Sequence, residues 1–218
     1  MTPIRSTNTR QEDIINDILR LHNNSNPIDV DCTYSKGVFY KSGEVKEPLM
    51  KFDLTPQTDD TIQASSEDLP LDNNSVQCMM FDPPFVIPGN TYKDNKEGSS
   101  KIAKRFSAYP NYNELKKHYK NTLKEARRVL KKDGILIIKC QNTVSGGKQH
   151  FTHYFIINEA MKLGMYPKDE FVLQNKSKMT SFQDKDGVGG RWKQQVHAMK
   201  HHSFFIVVQN KQCRVSYE

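Results

Sequence analysis

The sequence predicts an α/β fold: a mostly parallel sheet of seven strands, helices on both faces, and an antiparallel strand pair at its C-terminal end. Three observations predict it. Short apolar or β-branched runs alternate with stretches of helical period, the pattern of βαβ units. The clearest helical stretch stops at Asp133-Gly134 and leads directly into an apolar segment. The last two apolar runs are joined by a long polar segment in place of a helix.

Taken in order, residues 1–10 are polar and expected to be loose. Over 11–22, Ile14, Ile15, Ile18, Leu19 and Leu21 recur near helical spacing and predict an amphipathic helix. After a break at Asn23-Asn24-Ser25-Asn26-Pro27, strands are expected at 28–31, 49–54, 61–64 and 76–81. A long helix over 112–131 follows from Leu115, Tyr119, Leu123, Ala126, Val129 and Leu130, with a lysine-rich outer face. Strands at 134–140, 170–174 and 203–209 complete the seven, and a helix over 151–163, ending at Gly164, follows the first of these three.

With 218 residues, 36% hydrophobic and 26% charged, the chain is sized for one domain, taken as 1–218, with enough apolar content to fold. No apolar run approaches the roughly 18 residues of a membrane span, and the start Met1-Thr2-Pro3-Ile4-Arg5-Ser6 lacks an apolar secretion signal. A soluble, cytoplasmic protein with no membrane partner is expected. Cys32, Cys78, Cys140 and Cys213 lie far apart, so reduced thiols are expected rather than a disulfide framework. No acid or cysteine completes a ligand set with His150 and His153 or with His197, His201 and His202, so no metal site is expected.

Basic residues exceed acidic ones by 7, which favours a polyanionic partner. The excess is concentrated in two segments: 93–105 carries a net +3 and 176–202 a net +4. They belong to the stretches 88–112 and 175–202, each longer than the about 12–15 residues of a passive connection, and both are expected to be mobile working loops. Lys101, Lys104 and Arg105, interleaved with Tyr92, Phe106 and Tyr109, suit phosphate contact and base stacking, as do Arg191 and Trp192. Lys148, after Ser145-Gly146-Gly147, is a further candidate phosphate contact.

The most specific feature is Asp82-Pro83-Pro84-Phe85, directly after the apolar run 76–81. Two prolines fix two φ angles and remove two backbone donors, so the chain leaves the strand along a stiff path. Asp82 then sits at a strand end, Pro83 offers a carbonyl, and Phe85 offers a flat apolar face. Two acceptors and a stacking platform suit a planar ring that bears an exocyclic amino group. The tetrapeptide resembles the D-P-P-F/Y catalytic motif of S-adenosyl-L-methionine-dependent amino methyltransferases, which methylate adenine N6 or cytosine N4.

Further segments carry the same resemblance in one order along the chain. Asp31-Cys32-Thr33-Tyr34-Ser35-Lys36-Gly37-Val38-Phe39 is similar to the family's cofactor loop D-P-x-x-G-S-G-x-F, with Ser35 and Lys36 standing where Gly and Ser are usual. The resemblance implies cofactor contacts at Asp31, Thr33, Tyr34, Ser35, Gly37 and Phe39. Asp53 ends the next strand, where an acid accepts hydrogen bonds from ribose hydroxyls. Residues 63–71 resemble the adenine-contacting segment G-D-A/x-x-L-P, with Ser65 in place of the usual Asp. The run 126–136 looks like the family's R-V-L-K-P-G-G corner.

More widely, the chain is similar to small phage and prophage-type DNA amino-methyltransferases, carried by Tyr34-Ser35-Lys36-Gly37, Phe81-Asp82-Pro83-Pro84-Phe85 and Lys139-Cys140-Gln141. The resemblance implies a class I, Rossmann-like methyltransferase fold, S-adenosyl-L-methionine as cofactor, and Asp82, Pro83, Pro84 and Phe85 as the catalytic set. Adenine N6 in DNA is the expected target. An RNA base methyltransferase is one alternative; a non-catalytic nucleic-acid-binding protein that keeps the fold is another, motivated by Ser35, Lys36 and Ser65. No separate sequence-reading domain is visible, which implies recognition by the two loops or help from a second subunit of a homodimer.

Overall fold

A computed structural model of the chain describes residues 3–85, 109–145, 147–174, 197–198 and 200–211. The strands are β1 (Thr7–Asn8), β2 (Val30–Asp31), β3 (Met50–Asp53), β4 (Ile62–Gln63), β5 (Val76–Phe81), β6 (Leu130–Cys140), β7 (Thr143–Ser145), β8 (Lys148–His150), β9 (Tyr166–Gln174) and β10 (His202–Gln209). Among the described residues the helices are α1 (Gln11–His22), α2 (Tyr112–Val129) and α3 (Thr152–Lys162). Eight strands form one mixed sheet in the order β1-β9-β10-β6-β5-β2-β3-β4, and β7 and β8 form a separate hairpin.

All pairings in the large sheet are parallel except those of β10, which runs antiparallel to both β6 and β9. The C-terminal strand therefore enters between two parallel neighbours rather than at the edge. The edge belongs to β1, where Thr7 and Asn8 pair in parallel with Val172 and Leu173. Residues 1–10 were expected to be loose; at 7–8 the structure replaces that expectation with an eighth strand, because β9 has a free backbone edge to offer.

Helices cover both faces. On one, Ile14, Ile15 and Ile18 of α1 pack with Met80, Ile137 and Phe205. On the other, Leu115, Leu123 and Ala126 of α2 and Ile156 of α3 pack with Phe81, Leu136 and Ile206. Strands covered on both faces read as unbroken apolar runs, which is why β5, β6 and β10 are the plainest in the sequence. Asn111 caps α2, its side-chain oxygen accepting the N–H groups of Asn113 and Glu114, and so satisfies two orphan donors.

The helix expected over 112–131 ends at Val129 instead, because Leu130 already pairs with Val76 in the sheet. Asp133 then takes a left-handed backbone (φ 64°) beside a register shift opposite Val76 and Cys78, and β6 resumes at Ile135.

Tyr119 of α2 is fully buried, and among the described residues its hydroxyl has no hydrogen-bond partner. A hydroxyl removed from water without compensation costs about 1–3 kcal/mol. Tyr119→Phe is therefore expected to stabilise the protein by about 1 kcal/mol, read as a raised urea midpoint with an unchanged denaturant slope.

Candidate active site

The parallel strands β2, β3 and β5 end at one edge of the sheet in Asp31, Asp53 and Phe81-Asp82, and open α/β sheets bind ligands beyond that edge. Asp31 is buried. Its carboxylate accepts the Thr33 N–H at 2.9 Å and the Tyr40 hydroxyl at 2.7 Å. Burial pushes its pKa up to about 7, against the pull of those two donors.

Thr33 carries the connection onward. Its hydroxyl oxygen accepts the backbone N–H of Asp82 at 2.7 Å, which ties the loop after β2 to the turn after β5. Asp53 holds the same loop from the other side, Oδ2 accepting the Ser35 N–H and Oδ1 the Thr55 N–H, both at 2.8 Å. Ser35 sits at φ 52°, a left-handed conformation that costs a non-glycine residue about 1–2 kcal/mol. The loop thus makes a left-handed turn at Ser35 without a glycine.

A cavity of about 510 Å³ opens above these strand ends. Thr33, Ser35, Asp53, Ser65, Ser66 and His118 line it, together with Asp82 and Pro84 just beyond the end of β5. Of the residues expected to contact cofactor, Thr33, Ser35, Asp53 and Ser65 reach this cavity, whereas Asp31, Tyr34, Gly37 and Phe39 are not in its lining. These four build the loop from beneath. The hydroxyl of the buried Tyr34 donates to Glu47 at 2.7 Å and its ring stacks on Tyr40, while Phe39 packs edge-on against Tyr40 and Phe205. Gly37, at φ 61°, turns the chain directly over Tyr34.

Of the expected catalytic set, Asp82 and Pro84 line the cavity; Pro83 is buried and Phe85 half-buried at the end of the described segment. The Asp82 side chain is 22% exposed, and one of its oxygens, Oδ2, lies 3.5 Å from the Lys139 ammonium. Burial raises the Asp82 pKa, and Lys139 opposes that rise.

Lys148 is exposed on β8, paired with Ser145 across the hairpin and outside the cavity lining. Lys101, Lys104, Arg105, Arg191 and Trp192 lie outside the described residues, as do 88–108 and most of 175–202. Among the described residues no group of three or more His, Cys, Asp or Glu side chains could hold a metal ion, and no helix is long and apolar enough to cross a membrane. Cys32, Cys78 and Cys140 are buried free thiols.

Sequence reasoning missed part of the cavity wall. Ser66 Oγ lies 2.7 Å from His118 Nε2 and 3.0 Å from Thr122 Oγ1, and His118 Nδ1 is hydrogen-bonded to the Tyr109 hydroxyl. Burial lowers the His118 pKa, which favours the neutral imidazole. The signal for this relay was weak: a polar His118 on a helix whose neighbours Leu115 and Tyr119 are core residues. Lys139 gave a clearer one, a single charge inside the apolar run from Ile135 to Cys140.

The profile of the N6/N4 methyltransferase family, described as DNA methylase, matches residues 76–217. The chain belongs to that family. The match starts at the first residue of β5 and takes in the tetrapeptide and β6, while the loop after β2 lies outside it.

No curated protein matches the chain. Among solved structures, one resembling it is a Thermus thermophilus protein named as a DNA modification methylase, in complex with S-adenosyl-L-methionine, at 14% identity and TM-score 0.41, covering 68% of this chain and 53% of that one. Another is the cytosine-N4-specific PvuII DNA methyltransferase, at 14% identity and TM-score 0.43, covering 66% and 45%. A third is an S-adenosylmethionine-dependent methyltransferase from Thermotoga maritima, at 15% identity and TM-score 0.44, covering 84% and 81%. The chain spans about half the length of the Thermus protein. With TM-scores this low, the functional reading rests on the family match and on the chain's own residues.

Proposed function

We propose that this chain, acting as one methyltransferase domain, transfers a methyl group from S-adenosyl-L-methionine to an exocyclic base amino group in DNA, adenine N6 being the preferred target. The observation that carries the reading is the joining of Asp82 to Thr33, Ser35 and Asp53 around one cavity, within a chain of the DNA methylase family. The residues present suit the cofactor. A volume of about 510 Å³ lies in the range of ligand pockets. Asp53 has acceptor capacity for ribose hydroxyls beyond its two backbone bonds, and Ser65 and Ser66 bring hydroxyls to the side where an adenine would lie.

When bound, S-adenosyl-L-methionine supplies an electrophilic methyl on a sulfonium sulfur that departs with the bonding pair as a neutral thioether. The base amine is a poor nucleophile, because its lone pair is delocalised into the ring. The Asp82 carboxylate and the Pro83 carbonyl accept its two N–H bonds, draw it toward tetrahedral geometry and stabilise the positive charge that develops on nitrogen. The methylated amine then loses one proton to solvent by way of Asp82. Phe85 stacks on the flipped base and fixes its plane. Lys101, Lys104, Arg105, Lys148, Arg191 and Trp192 hold the nucleic acid, and neutralising these charges weakens DNA binding and flattens its salt dependence. The phage or prophage type and a cytoplasmic setting accompany this reading as proposals, resting on the quoted motifs and on the DNA substrate.

The non-catalytic alternative drew on Ser35, Lys36 and Ser65. Ser35 nonetheless adopts the left-handed turn and faces the cavity, which removes much of that motive. The deciding experiment is calorimetric titration with S-adenosyl-L-methionine, followed by incubation of tritiated cofactor with unmethylated DNA and RNA and identification of the labelled base. Label on N6-methyladenine in DNA is expected. Folded protein that binds no cofactor at millimolar concentration overturns the reading, and label confined to RNA or to cytosine corrects the substrate.

A further inference from the structure

We propose that Lys139 is the positioning residue of the site, holding the Asp82 carboxylate by one oxygen so that the other faces the substrate amine. The inference rests on the functional reading above and names how its central carboxylate is prepared.

Lys139 is the one charged residue in the otherwise apolar stretch of β6 from Ile135 to Cys140, and its side chain is only 13% exposed. A charge placed among core residues is costly unless it is partnered. Its partners here are few and specific. The ammonium lies 3.5 Å from Asp82 Oδ2 and 3.3 Å from Gln11 Oε1, and sits 4.9 Å and 5.7 Å from the ring centres of Phe39 and Phe205. Three elements thus fix it: the side chain at the start of α1, the closing aromatic of the loop after β2, and β10. Such a mount directs the charge at one carboxylate oxygen. Asp82 Oδ1 has no hydrogen-bond partner among the described residues, and Asp82 lines the cavity.

The ionisable groups that face Asp82 otherwise favour its neutral form. Asp31 on β2 feels its charge, Cys140 on β6 and Tyr119 on α2 would each add a negative charge if ionised, and burial acts in the same direction. Lys139 is the cation that opposes them. A protonated Asp82 would present a hydroxyl donor in the site and would be a weaker acceptor for the amine, so the ammonium sets both the aim and the charge of the group.

The sign follows directly. Removing the cation raises the Asp82 pKa, so the pH below which transfer fails moves upward. An opposite charge within about 4–6 Å lowers a carboxyl pKa by about 1–3 units, so Lys139→Met is expected to shift the acid limb of the kcat profile up by about one unit or more. Methionine preserves the aliphatic stem against Phe39 and Phe205. The affinity for S-adenosyl-L-methionine stays at its wild-type value, and Lys139→Arg restores the profile.

The test uses the full chain and pairs these profiles with 13C NMR titration of the Asp82 carboxyl in wild type, Lys139→Met and Lys139→Gln. Glutamine keeps a donor without charge and serves in place of Met if that variant misfolds. An upward shift in both the rate profile and the carboxyl titration supports the proposal. Superimposable titrations overturn it, as does a loss confined to cofactor affinity. A wild-type protein that transfers no methyl group defeats the functional reading, and the carboxyl titration still decides the role of Lys139.

Discussion

Asp82→Ala is expected to cut methyl transfer by about 10²–10³-fold while leaving cofactor binding largely intact. The carboxylate is the charged acceptor facing the cavity from the β5 end, and removing one preorganised group of this kind costs about 10²–10³ in kcat. Its loss leaves the floor of the cofactor side in place, because the contact that ties β5 to the loop after β2 runs through the Asp82 backbone N–H, which alanine retains. Single-turnover assays with saturating cofactor measure the first effect and calorimetry the second. Asp82→Asn is expected to be nearly as inactive, since the amide has no negative charge and presents donors where an acceptor is needed. Wild-type turnover in the alanine variant would remove Asp82 from the mechanism.

The second large effect falls on the loop after β2, the proposed cofactor loop. Gly37 sits at φ 61°, and a Cβ added there would meet the Tyr34 hydroxyl and lie 2.6 Å from Tyr34 Cζ. Strain at positive φ and displacement of a packed ring each cost about 1–3 kcal/mol, so Gly37→Ala is expected to destabilise the protein by about 2–4 kcal/mol. Tyr34 must leave Glu47 and Tyr40, and Ser35, which faces the cavity, moves with it. Cofactor affinity should fall at least about tenfold, the equivalent of 1.4 kcal/mol. Gly43 provides the control. It also has positive φ, at 75°, but an added Cβ meets nothing within 4 Å, so Gly43→Ala carries the strain alone. Thermal unfolding and calorimetry on the two variants separate backbone strain from the clash with Tyr34.

The sheet was readable where burial on both faces made whole strands apolar, as in β5, β6 and β10. It was not readable at β1, because Thr7 and Asn8 are polar and become a strand only through the backbone of Val172 and Leu173, more than 160 residues along the chain. The β7–β8 hairpin was hidden for a local reason. Its six residues carry no apolar alternation, so no strand is predicted there.

In the site, Asp82, Thr33 and Asp53 were legible because strand-end position is a local property. Phe39 and Tyr34 occupy motif positions of the cofactor loop, yet the motif could not say which of its side chains face the ligand and which face the core. The Ser66–His118–Tyr109 relay was illegible for a different reason. It exists only when α2 is laid over the segment before β5, and no spacing along the chain encodes that.

The contact between Thr33 and Asp82 joins positions 49 residues apart. Its geometry is secured by the pairing of β2 with β5, in which Val30 and Asp31 lie beside Met79 and Met80. The entropy of bringing the loop after β2 to the turn after β5 is therefore borne by folding of the sheet. In the proposed reaction neither cofactor nor base has to gather this junction, and their binding free energies remain available for orienting the methyl group and the amine. One hydroxyl makes the loop after β2 and the turn after β5 a single unit.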